Sequence, residues 1–297
     1  MTAETTQHVP VLAAEVLDHL RPVPGQTFVD GTLGGGGHSR LLAEAVGPTG
    51  RVIALDRDAA AVECAASALH QLPIHALQAN YSDLPEVLAQ LGVEKVDGIL
   101  LDLGLSSDQL ADPDRGFSFH GTGPLDLRFD VTRGEPAWKL VERLSAEHLA
   151  DLIYRYGEER YSRKIARRIV DTRRAEPIRT AADLARLVRQ SVPRSRDERI
   201  DPATRTFQAL RIAVNEELKW LEVGLRRLPA CLRPGGRIAV ISFHSLEDRL
   251  VKEAFRDDAR LTLITRRPIR PSEAETAANP RARSAKLRVA ERKADAA

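Results

Sequence analysis

Three aspartates within the first 102 residues of the chain, Asp30, Asp56 and Asp102, each end a short apolar stretch. A glycine run at residues 34–37 lies shortly after the first of them. Glycine lets a ligand approach the backbone closely, and a helix that begins there offers unpaired N–H groups to a polar or anionic ligand. Carboxylates at strand ends accept hydrogen bonds from ribose hydroxyls and attract cations. These residue types at this spacing predict a site for a cofactor that carries an adenosine.

The residues that flank the glycine run indicate which cofactor this is. The dinucleotide fingerprint Gly-x-Gly-x-x-Gly/Ala fails at its last position, where the chain has Ser39. Asp30 beside the loop disfavours a pyrophosphate but attracts the ammonium and sulfonium groups of S-adenosylmethionine. The turn LRPGG before the fifth apolar stretch is typical of methyltransferases. The residues therefore favour S-adenosylmethionine, and an NAD-dependent oxidoreductase is the alternative.

Apolar stretches alternate with helical patterns in the first third of the chain, and Asp58 is the predicted N-cap of the second helix. The predicted strands are 27–30, 51–56, 74–80 and 96–103, and the predicted helices are 39–46, 58–69 and 84–91. Such alternation predicts a parallel sheet covered on both faces, and right-handed crossovers make it a doubly wound, Rossmann-like α/β fold. Ligands bind beyond the carboxyl ends of the strands in this fold, so we expect the three aspartates in one cleft.

The alternation stops after the fourth predicted strand. Residues 105–205 contain a Gly/Asp/Pro-rich loop and then helical patterns without a strand pattern. We therefore expect an inserted, all-helical substrate-recognition domain at 105–205 between two parts of a methyltransferase domain, 1–104 and 206–297. The later elements are predicted to be one long amphipathic helix at 203–232 and two final strands at 261–267 and 285–292 that form a hairpin.

The composition is that of a globular protein with a sizeable core. The chain has 297 residues, of which 43% are hydrophobic and 29% charged. It has no apolar run of about 20 residues and no secretory signal pattern, so we expect a cytoplasmic protein without a membrane partner. Its two cysteines, Cys64 and Cys231, lie near no His/Cys cluster. They are expected to be small core residues rather than a disulfide or zinc ligands.

Positive charge is concentrated in two regions, although the formal net charge is only +2. Residues 154–211 contain 16 Lys/Arg and 8 Asp/Glu, and residues 266–293 contain 9 Lys/Arg and 3 Asp/Glu. Local basic surfaces on a nearly neutral chain are typical of proteins that bind a polyanion, nucleic acid first. The alternative is arginine-rich helix faces that are merely solvated, and charge alone leaves both open.

Longer motifs connect these features to one family. The stretches VDGTLGGGGHSRLL, GILLDLGLSSDQL, YGEERYSRKIARRIV, PGGRIAVISFHSLEDRLVK and NPRARSAKLRVAER occur in this order between residues 29 and 292. They resemble the bacterial ribosomal RNA small subunit methyltransferase H (MraW) family over essentially the whole chain, and SFHSLEDR and NPRARS are highly specific. The resemblance implies a class I S-adenosylmethionine methyltransferase sheet with an inserted helical subdomain. It also implies N4-methylation of a specific cytidine in 16S rRNA, at the decoding centre of the small ribosomal subunit.

The resemblance further implies which residues contact S-adenosylmethionine. They are Gly36, Gly37, His38, Asp56, Tyr81, Asp102 and Gln109. The position of Tyr81 commonly holds phenylalanine in the family, and either aromatic ring can stack on adenine. The charge and backbone freedom of the loop add Asp30 and Gly34 to the predicted cofactor site.

Methylation of a cytosine amine requires an acceptor for its proton, because the nitrogen lone pair is delocalised into the ring. Asp102, or a backbone carbonyl within residues 102–107, is the predicted acceptor, and no metal is expected. His244 is the second catalytic candidate, and a hydrogen-bonded structural histidine is its alternative. Ser245 is a predicted N-cap of the following helix, with Asp248 as its partner in a capping-box-like pair.

Base stacking and RNA contact are assigned to other segments. The chain lacks the Pro-Pro-aromatic motif of many amino methyltransferases, so Phe117, Phe119 or Phe243 is expected to stack on the base. Methylation at cytosine C5 would require a nucleophilic cysteine at the end of a strand, which neither cysteine is. The basic segments 161–180 and 279–288 are expected to contact RNA. A non-catalytic ribosome assembly factor with the same fold is a further alternative, and the sequence leaves the oligomeric state open.

Overall fold

The structure is a computed structural model that describes residues 10–119, 123–193 and 201–294. The chain divides into two compact units. The sheet unit comprises Met1–Ser106 and Leu218–Ala297, and the helical unit comprises Ser107–Glu217. The helical unit is therefore an insertion, in sequence, between two segments of the sheet unit.

The sheet unit is built on one seven-stranded sheet. Its strands are β1 (Thr27–Asp30), β2 (Arg51–Asp56), β3 (Ile74–Gln78), β4 (Val96–Asp102), β5 (Leu232–Ser242), β6 (Leu261–Leu263) and β7 (Lys286–Arg292). They lie in the order β3-β2-β1-β4-β5-β7-β6. The first five strands pair in parallel, whereas β7 is antiparallel to both β5 and β6. The strand order reverses between β1 and β4, and the predicted Rossmann-like α/β fold is confirmed.

The inner parallel strands β1, β2 and β4 are apolar on both faces. Phe28 and Val29 are successive residues of β1, both are buried, and they belong to cores on opposite sides of the sheet. Val52 and Ile53 divide in the same way in β2. Because successive side chains of a strand point to opposite faces, a strand covered on both sides must be apolar throughout. This explains why polar residues are found at the strand ends.

The helices flank the sheet or form the inserted unit. In chain order they are α1 (Ala13–Leu20), α2 (Gly37–Val46), α3 (Ala59–Ala68), α4 (Leu84–Gln90), α5 (Ser107–Ala111), α6 (Ala137–Arg143), α7 (Ala146–Gly157), α8 (Ser162–Arg173), α9 (Ala181–Ser191), α10 (Thr204–Asn215), α11 (Glu217–Arg227), α12 (Ser245–Asp257) and α13 (Glu273–Ala278). Helices α5 to α10 belong to the helical unit, in which α7 packs against both α8 and α10. In the described part of the chain, none of these helices has the length and hydropathy needed to cross a bilayer.

Side-chain caps define several of the helix starts. Asp58 accepts a hydrogen bond from the backbone N–H of Ala60 at 3.1 Å, so its predicted role as the N-cap of α3 is confirmed. Ser145 and Thr180 cap α7 and α9 in the same way. A cap of this kind satisfies one of the backbone donors that a helix start leaves unpaired, and typically contributes about 1 kcal/mol.

The prediction of one long helix at residues 203–232 is wrong. Helix α10 ends at Asn215, and α11 begins at Glu217. Between them, Glu216 adopts φ +51°, a left-handed conformation that ends a helix. The helical unit extends to Glu217, so α10 belongs to it and not to the segment 206–297.

The two cysteines differ in their surroundings. Cys231 is buried, as predicted, whereas Cys64 is exposed, so its predicted core position is wrong. Helix α3 turns Ala65 toward the core, and Leu69 just beyond the helix packs beside it. Position 64 therefore faces solvent, although the alanine-rich sequence around it gives little sign of which face is buried.

Candidate active site

The register of the sheet brings the three predicted aspartates to one edge. Asp30 pairs with Ala54 of β2 and with Leu100 of β4. Asp56 and Asp102 therefore each lie two residues beyond the level of Asp30, all at the carboxyl ends of adjacent strands. We call Asp30, Asp56 and Asp102 the acidic edge. It lies at the point where ligands bind in doubly wound sheets.

Asp30 is fully buried, and both of its carboxylate oxygens are hydrogen-bonded within the protein. The Ser39 hydroxyl donates to Oδ2 at 2.6 Å, and the Thr32 backbone N–H donates to Oδ1 at 3.1 Å. Burial raises the pKa of Asp30 to about 6, although these hydrogen bonds oppose the shift. Asp30 thus ties the end of β1 to the first turn of α2. Sequence patterns did not reveal Ser39 as its partner.

Asp56, at the end of β2, hydrogen-bonds to the backbone of the glycine loop. Its Oδ2 accepts from the Gly34 N–H at 2.8 Å, and its Oδ1 accepts from the Asp58 N–H at 2.9 Å. Burial raises the pKa of Asp56, while the hydrogen bonds from Asp58 and Gly34 limit the rise. Each carboxylate oxygen has a second lone-pair site, so Asp56 retains acceptor capacity for a ligand hydroxyl.

The loop requires glycine at particular positions. Gly34 and Gly36 have φ +47° and +77°, and Gly36 is the left-handed N-cap of α2. Gly37 lies against Pro10, 3.3 Å from where a Cβ would stand. At Gly31, before the run, a Cβ would lie 2.4 Å from a Leu101 methyl group. The backbone conformation and the close packing together explain the concentration of glycine.

Asp102 and His38 form a close pair at the acidic edge. The His38 Nε2 lies 3.6 Å from the Asp102 Oδ2, and the two side chains are 6% and 19% exposed. The Asp102 Oδ1 is buried and has no hydrogen-bond partner among the described residues. Burial, followed by the charges of Asp30 and Glu247, raises the pKa of Asp102 to about 8. The carboxyl group is therefore poised to exchange a proton near neutral pH.

Two further predicted cofactor residues lie in different units. Tyr81 begins a short 3-10 helix after β3, is half-buried, and packs its ring against Gly224 of α11. Its Cβ also approaches Gly31 at the end of β1, so the sheet unit brings Tyr81 to the acidic edge. Gln109 is buried in α5 of the helical unit. Its contact with a cofactor stays a prediction.

His244 is the N-cap of α12. Its Nδ1 accepts from the Glu247 N–H at 3.3 Å, and the Glu247 carboxylate accepts from the His244 N–H, so the two form a capping box. The prediction that Ser245 is the cap and Asp248 its partner is wrong by one residue in each case. The capping-box signal was present in the sequence, but histidine is an unusual residue to fill the first position.

Asp248 has a different role, which the sequence did not indicate. It accepts hydrogen bonds from the Arg288 Nε at 2.6 Å and the Lys286 Nζ at 3.2 Å, both on β7. Although burial opposes it, these two cations lower the pKa of Asp248. Through Asp248, the motif SFHSLEDR thus attaches α12 to β7.

The aromatic residues predicted to stack on a base are engaged in the fold. Phe117 is buried and stacks on Phe129, with ring centroids 5.9 Å apart. Phe119 meets Phe207 edge to face at 4.8 Å. Phe243 is half-buried and covers Gly104, whose φ is +131°. Base stacking stays a prediction for Phe119 and Phe243, whereas burial of Phe117 argues against that role for it.

Comparison with known proteins gives the family. The model of the MraW methylase family matches residues 5–293. A ribosomal RNA small subunit methyltransferase H from Trichlorobacter lovleyi is 50% identical over 97% of this chain and 99% of its own length. The protein of the same name from Thermomicrobium roseum is 52% identical over 97% of this chain and 94% of its own length. A solved rRNA methylase from Streptococcus thermophilus covers 97% of this chain at 10% identity, with a TM-score of 0.47. On the family match and the two relatives, this chain belongs to the MraW methylase family.

Proposed function

We propose that this protein is an S-adenosylmethionine-dependent methyltransferase that methylates N4 of a specific cytidine in 16S rRNA, at the decoding centre of the small ribosomal subunit. The family match and the names of the relatives support methyl transfer to ribosomal RNA. The observation that carries the chemistry is Asp102 at the acidic edge, a buried carboxyl group with one oxygen that has no hydrogen-bond partner among the described residues. The cytidine and its N4 atom come from the resemblance of the motifs.

The acidic edge fits S-adenosylmethionine. Gly34 and Gly36 leave the loop backbone bare, and Asp56 has acceptor capacity left for ribose hydroxyls. The buried Oδ1 of Asp102, which has no partner in the described part of the chain, calls for a donor, because an unpaired buried polar atom costs free energy. Tyr81 would supply a flat surface for adenine. Asp30 would act indirectly, because its hydrogen bond from Ser39 fixes the conformation of the glycine loop.

S-adenosylmethionine supplies an activated methyl group on a positively charged sulfur. Asp102 would accept a hydrogen bond, and then the proton, from the amine at its Oδ1 as the nitrogen becomes a nucleophile. A general base works best when its pKa lies near the working pH, and burial brings the pKa of Asp102 to about 8. His38, 3.6 Å away, would orient the carboxyl group. His244 would contribute indirectly, because its cap fixes the turn between β5 and α12.

A methyl-transfer assay tests this function. The purified protein is incubated with labelled S-adenosylmethionine and small ribosomal subunits, and the rRNA nucleosides are identified by mass spectrometry. We expect one N4-methylcytidine, and its loss from the rRNA of cells that lack the protein. Tight NADH binding without S-adenosylhomocysteine binding would instead indicate an oxidoreductase. Binding to the subunit without methyl transfer would indicate an assembly factor.

A further inference from the structure

The first two turns of α8, in the helical unit, expose a cluster of cations, and Asp171 lies one turn further along the same helix. Arg163, Lys164, Arg167 and Arg168 are exposed along α8, and we call them the α8 cationic face. Pairs four residues apart, such as Arg163 and Arg167, lie one turn or about 6 Å from each other along the axis. They form two parallel rows of positive charge.

These cations differ from several other arginines of the same unit that form ion pairs with carboxylates. Among the residues that the structure describes, no carboxylate lies within ion-pairing distance of the α8 cationic face, and Arg168 donates to the neutral Gln190 at 3.1 Å. Elsewhere in the unit the ion pairs include Arg133–Asp130 at 3.6 Å, Arg143–Glu135 at 3.3 Å, Arg186–Asp183 at 3.0 Å and Arg189–Asp201 at 2.6 Å. Glu147 of α7 is near enough for the charge of Arg167 to help lower its pKa, but it forms no ion pair with that residue among the described residues, and the face keeps a net positive charge.

The arrangement opposes the stability of the helix. Like charges four residues apart repel each other, and positive charge in the first turn opposes the helix dipole. Helix α8 has no acidic residue in its first turn and no side-chain cap. An unfavourable local arrangement of this kind is expected where a ligand supplies the missing charge.

We propose that the α8 cationic face binds the phosphate groups of the RNA substrate. This inference rests on the proposed function, since it names the part of the protein that holds the RNA backbone. Guanidinium groups bind phosphate through two parallel hydrogen bonds, and three of the four side chains are arginines. Beside the face, the guanidinium of Arg160 stacks on the Tyr161 ring, 4.7 Å from its centroid.

The surface does not suit a membrane or a typical protein partner. A helix that binds an anionic membrane inserts an apolar side, but Ile165, Ala166 and Ile169 of α8 are fully buried within the unit. The core of a protein interface is depleted of charged residues, whereas this face consists of them. Phosphate contacts alone need neither an apolar side nor aromatic anchors.

The salt dependence of RNA binding tests the proposal. Affinity for a 16S rRNA transcript is measured over a range of salt concentrations for the wild type and for R163Q/K164Q/R167Q/R168Q. Each lost phosphate contact lowers the slope of log affinity against log salt by about 0.7 to 0.9, so we expect a decrease of about 3. At low salt the affinity should fall at least about tenfold, while S-adenosylhomocysteine binding stays unchanged.

A second variant removes the same charge from ion-paired positions. R133Q/R143Q/R186Q/R226Q changes four exposed arginines that face carboxylates, and it should keep the wild-type slope. Equal loss of slope in both variants would overturn the proposal, because net charge would then explain the effect. An unchanged slope for the α8 variant would also overturn it, most clearly if that variant loses binding to phosphatidylserine vesicles. A wild type that binds the transcript without methylating small subunits would count against the proposed function and not against this surface.

Discussion

The acidic edge of the sheet unit and the α8 cationic face of the helical unit both gather like charges, but they differ in how the repulsion is relieved. Asp30 and Asp102 are enclosed, and their pKa values rise to about 6 and about 8, so protonation can remove the charge. The arginines of α8 keep their charge, because a guanidinium does not lose its proton in proteins, and water screens them. The first region should therefore respond to pH and the second to salt.

The largest effect is expected from removing the acid in the buried region. Asp102→Asn keeps the shape but cannot accept the proton, so the rate of methyl transfer should fall by about 10² to 10⁴. The raised pKa of Asp102 means that the folded state holds this proton more tightly than the unfolded chain, so its contribution to stability is lost as pH rises from about 4 to 8. The variant should lack that loss and unfold at higher urea concentration than wild type at pH 8.

A control lies at the other end of the same strand. Asp97 accepts from the Thr27 N–H at 2.8 Å, far from the carboxyl end of β4. Asp97→Asn should lower stability but leave the rate per folded molecule intact. Near-normal transfer in Asp102→Asn would remove this residue from the chemistry.

Ionisation of Asp102 should control discrimination between the charged cofactor and its neutral product. S-adenosylmethionine carries one more positive charge than S-adenosylhomocysteine, so it benefits more from an ionised carboxylate. The ratio of their affinities, from calorimetry, should rise by up to about tenfold per pH unit between pH 6 and 8 and then level off. A flat ratio would show that Asp102 does not sense the sulfonium charge.

Substitutions at Glu247 and His244 distinguish the effect of the Glu247 charge on the pKa of Asp102 from the effect of the helix cap. Its negative charge raises the pKa of Asp102, and its carboxylate also completes the capping box with His244. Glu247→Gln keeps an acceptor at the cap but removes the charge, so the midpoint of the affinity ratio should move to lower pH. His244→Asn keeps a side-chain cap and keeps the Glu247 charge, so the midpoint of the affinity ratio and the turnover should both stay unchanged. A large loss of turnover in this variant would instead make His244 catalytic.

The smallest effect is expected in the exposed region. Arg163→Glu places a negative charge in the first turn of α8, where it favours the helix dipole and faces Arg167 four residues on. The free energy of unfolding in urea should rise by about 0.5 kcal/mol. The same change at Arg186, which pairs with Asp183 at 3.0 Å, should lower it. A lower free energy of unfolding for both Arg163→Glu and Arg186→Glu would show that the repulsion between the cations of α8 is already compensated in the wild type.

The sequence predicted the parts of the fold that depend on periodicity. The apolar runs of β1, β2 and β4 are buried on both faces, so their composition alone identified them, and their ends located the three aspartates. The break between α10 and α11 was not predictable, because Glu216 is neither glycine nor proline and its neighbours continue the apolar spacing. Tertiary packing, rather than local preference, determines that turn.

The positions of the three aspartates at adjacent strand ends were predictable from the sequence, but the contacts of these side chains were not. Nothing in the spacing shows that Ser39 hydrogen-bonds Asp30, or that β7 supplies Arg288 to Asp248. Such partners are distant in sequence and are brought together by the sheet register. Burial, which raises the pKa of Asp102 more than any neighbouring charge does, is likewise a property of the folded chain.

The position of β7 has a consequence for synthesis. This strand is the last of the sheet to leave the ribosome, yet it lies between β5 and β6. Until it emerges, β6 has no partner, β5 presents an open edge, and Asp248 lacks Arg288 and Lys286. During translation the nascent sheet therefore exposes a pairing edge until β7 closes it, and an open strand edge of this kind favours aggregation.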